Sequence, residues 1–164
     1  MKKLRIISFL VWLGITFTSF LNNSKSTNEV PYPEDYRTWS HVKTAIIDSQ
    51  SRAFKRFGGF HHIYANEKAM AGFNTGSFSD GAMFVFDVLE AIEKNGEITE
   101  GRRKFIDVMV KDSKMYEGTG GWGFEEFKEE SKTERTVKET AKAQCFNCHS
   151  SQQKSDFVFS TYRK

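Results

Sequence analysis

The sequence predicts a mainly β fold of the α+β class: a single antiparallel sheet with a few short helices, the last of which carries "CFNCH". Three observations predict it. Hydrophobicity alternates with a period of two in "GAMFVFDVLEAIE" and again in "RRKFIDVMVKD". Glycine, asparagine and proline punctuate the chain between such runs. Helical signals are brief, as in "PEDYRTWSH" and "EKAMAGF".

At the N-terminus, "MKKLRIISFLVWLGITFTSF" has a basic start and an apolar run from Ile6 to Phe20. This is the shape of a secretory signal, and residues 1–25 are read as a signal peptide running into a linker. A short uncleaved membrane anchor is the alternative, because the run is slightly long and no clean A-x-A site follows it. Residues 26–31 complete the linker, and residues 32–164 form one domain, which suits a chain of 164 residues. Pro31 and Pro33 mark its entry.

"PEDYRTWSH" reads as one short helix, with Tyr36 and Trp39 at i, i+3. "HVKTAII" is strand-like by its β-branched content, and "GFHHIYAN" is a second strand between Gly58-Gly59 and Asn66. "EKAMAGF" is a brief helix ending near "NTG". The next strand puts Ala82, Phe84, Phe86 and Val88 on one face, and Met83, Val85, Asp87 and Leu89 on the other. In "RRKFIDVMVKD", Phe105, Asp107 and Met109 oppose Lys104, Ile106, Val108 and Val110. A turn at Asn95-Gly96 joins the two as an antiparallel pair. "GGWGFEEF" is a further strand, and the charged run from Lys128 to Lys142 a solvated loop and helix.

The formal charge of +3 reflects 24 basic and 21 acidic residues. Lys2, Lys3 and Arg5 belong to the leader; without them 21 basic residues face 21 acidic ones. A near-neutral domain has no basic excess of the kind nucleic acid requires. Sixteen phenylalanines suit an aromatic core around a large apolar cofactor, or simply an ordinary core.

"CFNCH" contains both cysteines, Cys145 and Cys148, followed by His149. C-x-x-C-H is the attachment signal for c-type haem. Two thiols three positions apart on a helical turn each reach a vinyl group, and the adjacent histidine lies beneath the iron as proximal ligand. A thioredoxin-like motif would want a βαβ setting, which the charged "KEESKTERTVKETAKAQ" does not supply. A structural zinc site would need a fourth ligand, and no second Cys or His pair stands at ligand spacing. One haem c is therefore expected, leaving no cysteine for a disulfide. Covalent haem and export support each other, so the expected location is periplasmic.

"YPEDYRTWSHVKT", "HHIYAN", "GSFSDGAMFVFDVLEA", "VMVKDSKMY", "TGGWGFEEF", "CFNCH" and "SDFVFSTYR" occur in that order. Together they resemble the cytochrome P-460 family, including the cytochromes c′-beta, from Tyr32 to Arg163. The resemblance implies a mainly β fold, a homodimer and a five-coordinate haem whose only protein ligand is the proximal histidine. It also implies two functions. P-460 cytochromes oxidise hydroxylamine and carry a lysine joined covalently to the haem edge. Their c′-beta relatives lack that link and bind nitric oxide and carbon monoxide in a pocket capped by phenylalanine.

In P-460 enzymes the cross-linking lysine is the fifth residue after the "DG" glycine, and here that residue is Phe86. Phe84 shares its face. A phenyl ring has no amine to join to a haem carbon, and the nearest lysines, Lys68 and Lys94, lie outside the matching segment. The resemblance places a distal carboxylate at Asp107, a proton acceptor if hydroxylamine is the ligand. By periodicity alone Asp107 faces water while Ile106, Val108 and Val110 form the core. His61 falls where relatives carry a polar distal residue, and His62 points to the opposite face. A lone strand histidine is more often a satisfied surface or core group, and His41 is a weaker candidate still. Met83, Met109 and Met115 are the candidates for a sixth ligand that would suit electron transfer, although methionine on a strand is usually filler.

The expected function is a periplasmic mono-haem cytochrome binding small diatomic gases. The alternatives are a hydroxylamine-oxidising enzyme and an electron-transfer cytochrome c, both of which would need a redox partner protein.

Overall fold

The structure is a computed structural model and describes residues 29–163. The signal or anchor reading of residues 1–25 and most of the linker lie outside the described residues. Five strands pair in chain order into one antiparallel sheet. They are β1 (Ser40–Ile47), β2 (Gly59–Ala65), β3 (Met83–Lys94), β4 (Glu97–Lys111) and β5 (Trp122–Lys128). All five correspond to segments read as strands from the sequence. The β3–β4 turn falls at Asn95 and Gly96, both with positive φ (55° and 82°), which is the backbone that asparagine-glycine hairpins require.

Short helices fill the connections: α1 (Phe54–Phe57), α2 (Glu67–Gly72) and, at the C-terminus, α3 (Asn147–His149). Asn66 caps α2, its side-chain oxygen accepting from the Ala69 amide at 2.9 Å. The helix expected in "PEDYRTWSH" shrinks to one 3₁₀ turn, Tyr36–Thr38. Trp39 is already extended and β1 begins at Ser40, so the strand preference of "HVKTAII" reaches further back than the helix signal forward. α3 belongs to a longer winding segment. A 3₁₀ turn (Lys138–Thr140) and a wide π turn (Lys142–Phe146) precede it, and a 3₁₀ stretch (Ser150–Ser155) follows.

Both faces of the sheet are covered. Ala65, Phe84, Met109 and Phe124 form a core on one face with Phe78, Trp122 and Val158. Val85, Ile106, Val108 and Phe127 form the other, beneath Val30 and Tyr36. Burying a phenylalanine such as Phe127, which has no exposed surface, contributes roughly 2–3 kcal/mol. Two covered faces correct one expectation. Ile106, Val108 and Val110 are core as read, yet Asp107, on the opposite face, meets a cavity rather than bulk water. Alternation identified the faces; it could not say that the second face was roofed.

Candidate functional site

The strand register lays three rungs across the roofed face. Ala65, Phe84, Met109 and Phe124 align in the first, and Ile63, Phe86, Asp107 and Glu126 in the second. His61, Val88, Phe105 and Lys128 make the third. Above these rungs lies a cavity of about 470 Å³, lined largely by apolar side chains. Cofactor pockets commonly fall between about 300 and 1,000 Å³. Cys145, Cys148, His149, Phe84, Phe86, Asp107 and His61 all line it, so the residues singled out in the sequence meet in one place.

His149 sits over the first rung, its ring centroid 4.9 Å from Phe124 and 5.0 Å from Phe159. Its Nδ1 donates to the Phe157 carbonyl at 2.7 Å. A carbonyl only accepts, so the proton is on Nδ1 and Nε2 keeps its lone pair. Burial holds the imidazole below its ordinary pKa, partly opposed by that hydrogen bond. It is a neutral ring with one nitrogen anchored and the other free for a metal. The carbonyl comes from a tail tied down at Asp156, which accepts from Lys111 Nζ (2.7 Å), Trp122 Nε1 (3.3 Å) and the Phe78 amide (2.9 Å). Gly120 admits this tail: a Cβ there would stand 2.5 Å from the Phe157 ring.

Cys145 and Cys148 are free thiols in the turns next to His149. Burial, and then the neighbouring Asp107, push the Cys145 thiol up to about 12, so it stays protonated.

Phe57 of α1 closes the far end, edge-on to Phe86 (6.2 Å), His61 (6.3 Å) and Phe105 (6.0 Å). Phe86 also meets the His61 ring at 4.5 Å. His61 Nε2 donates to the Phe57 carbonyl, so this N–H is already committed. Burial lowers its pKa, with the carbonyl working against the shift. His62 lies on the opposite face, bonded to Thr44, and His41 reaches the same hydroxyl. Asp107 is the polar feature of this end. Its Oδ1 is buried with no hydrogen-bond partner among the described residues. Desolvation first, and the Glu126 charge second, raise the carboxyl well above the usual carboxylate range.

The profile of the cytochrome P460 family matches residues 33–160. The chain belongs to the cytochrome P460 family. This cytochrome is thereby a haem-binding protein, and the cavity fits that group: apolar walls, two thiols and a neutral imidazole at one end. No individually curated protein matches the chain. Among the described residues, no three His, Cys, Asp or Glu side chains stand together as metal ligands.

Among the described residues, no lysine lines the cavity of this cytochrome. Lys68 donates to the Asp80 carbonyl outside the cavity, and Lys94 stands at the β3–β4 turn. Of the methionines, Met109 lines the cavity, but in the first rung beside Phe124, which packs on His149. Met83 belongs with the opposite core and Met115 is exposed.

Sequence reasoning missed Phe57, Glu126, Arg56 and the Asp156–Phe157 clamp. "SDFVFSTYR" did mark the last of these. "AFKRF" carried no period long enough to place Phe57.

Proposed function

We propose that this cytochrome binds one haem covalently, through thioethers from Cys145 and Cys148, with His149 Nε2 as the only protein ligand to iron. Bound there, the haem supplies an iron with one open coordination position. The protein's part is to hold His149 from one side and keep the other side dry. Phe86 and Phe57 exclude water and offer no hydrogen bond to a ligand, and His61 spends its Nε2–H on a backbone carbonyl. Phe84, expected beside Phe86, stands instead with Met109 in the first rung on the His149 side. Such a pocket favours a small neutral diatomic ligand, nitric oxide or carbon monoxide, in the manner of the c′-beta relatives. The carrying observation is Phe86 on the wall of a cavity that no lysine among the described residues lines. The setting that suits this chemistry is the periplasm, and the resemblance favours a homodimer.

Hydroxylamine oxidation is the second reading, favoured by Asp107: a partnerless buried carboxyl oxygen at the cavity is where a proton acceptor belongs. An electron carrier fits less well. It would need a second strong protein ligand to iron, and Met109, the candidate that lines the cavity, stands in the first rung beside Phe124, which packs on His149 itself.

The test is the absorption spectrum of the ferrous holoprotein before and after carbon monoxide. An ordinary high-spin c-type Soret band that shifts on adding the gas supports the gas-binding reading. A strongly red-shifted ferrous Soret band would reveal a haem–lysine bond and give the enzyme reading the lead. A low-spin spectrum that ignores carbon monoxide would overturn both.

A further inference from the structure

Asp107 and Glu126 are directly opposed across β4 and β5, on the same face of the sheet. Side chains so placed have Cβ atoms about 4.5–5.5 Å apart, and like charges there repel. The two carboxyls are unequally served. Glu126 Oε2 accepts from Arg56 Nη2 at 3.0 Å and its Oε1 from the Thr136 hydroxyl at 2.5 Å. Its side chain reaches the surface beside Arg56, which is 42% exposed. Asp107 has none of these donors, and its Oδ1 is buried and bare. The charged or titratable groups around Asp107 are Glu125 and Glu126 on β5, Arg56 on α1, Cys145 on the C-terminal segment and His61 on β2. Its β3 neighbour, Phe86, is uncharged.

We propose that Asp107 and Glu126 hold one proton between them, resident on Asp107, and that Glu126 is the relay through which the cavity exchanges protons with solvent. The proton that leaves Asp107 passes to Glu126 and from there to water at the Arg56 edge. Glu126 is a positioning and relay group and does not itself line the cavity. This inference rests on the haem reading only in placing Asp107 beside the bound ligand; the shared proton stands on strand register and hydrogen bonding.

Infrared difference spectra of the ferrous carbon monoxide complex across pH test both parts. The wild type should show a protonated carboxyl band at neutral pH that Asp107→Asn removes. Glu126→Gln should lower the pH at which the band disappears, because the opposing charge is gone. Arg56→Gln should raise it, because a stabilising cation is gone. Glu126→Gln should also slow the band's response to a pH jump by roughly tenfold or more. No Asp107 band at neutral pH, or one midpoint for wild type, Glu126→Gln and Arg56→Gln, would overturn the pair. An unchanged response to the jump in Glu126→Gln would overturn the relay. A carboxyl band that titrates while the carbon monoxide stretch stays fixed would sustain the pair and count against Asp107 standing beside the ligand. Failure to bind carbon monoxide at all would count against the gas-binding reading, and the same carboxyl band can then be followed in the ligand-free holoprotein.

Discussion

The Nδ1 of His149 donates to the carbonyl of Phe157 at 2.7 Å, and that carbonyl is aimed by a backbone of uncommon shape. Asp156 and Phe157 adopt φ of 49° and 65° in succession, a conformation bulky L residues rarely take. The Asp156 carboxylate holds the pair by taking three donors at once, Lys111 among them. Strain is thus stored beside the residue whose ring orientation matters most.

Asp156→Ala should release it. The Lys111 ion pair is only slightly exposed, 11% and 15% on its two sides, and removing one partner of such a pair costs about 3 kcal/mol. Denaturant unfolding of the holoprotein will show that loss. The ferrous iron–histidine stretch in the resonance Raman spectrum should fall as the Nδ1 hydrogen bond weakens, and Asp156→Asn should fall between the two. Lost stability with an unmoved stretch would make the clamp merely structural.

On the other face of the sheet, Asp87 has no exposed surface. It accepts from the Tyr36 hydroxyl at 2.6 Å, Arg103 Nε at 2.8 Å and Arg37 Nη2 at 2.9 Å. This network pins the N-terminal segment onto β3 and β4. Asp87→Ala should cost about 3–5 kcal/mol, because it leaves buried guanidinium charge uncompensated. Tyr36→Phe should cost only about 1 kcal/mol. Neither should change the ferrous spectrum or its response to carbon monoxide, since Asp87 points away from the cavity. Spectral changes in properly folded Asp87→Ala protein would contradict that separation.

Period-two alternation separated the two faces of β3 and of β4, grouping Phe84 with Phe86 and Asp107 with Phe105 and Met109, while only the family resemblance brought Asp107 and Phe86 to one pocket. The motif put Cys145, Cys148 and His149 together by adjacency alone. What alternation could not supply was the roof. Phe57 reaches Phe86 across 29 positions of chain, and Phe157 reaches back to His149 through a left-handed turn that no residue type announces. Asp107 was misread by periodicity for the same reason: a polar residue on an alternating strand faces water only when nothing covers that face. Nothing in "GGWGFEEF" singled out Glu126, because its meaning lies in register, in the residue across from it.

Asp107 also makes a prediction about stability. Its carboxyl is raised by desolvation and by Glu126, so the native state keeps its proton where the unfolded chain, with a carboxyl pKa of about 3.9, has released it. Above that pH the native state binds more protons than the unfolded state, and stability falls as pH rises towards the native pKa. Asp107→Asn keeps the shape of the protonated acid and removes this dependence. Wild type and Asp107→Asn should therefore unfold at similar temperatures below about pH 4, with the variant increasingly the more stable from there to neutral pH. Thermal unfolding of both holoproteins across that range will decide. A gap that stays constant, or closes as pH rises, would mean that Asp107 is ionised in the native cavity.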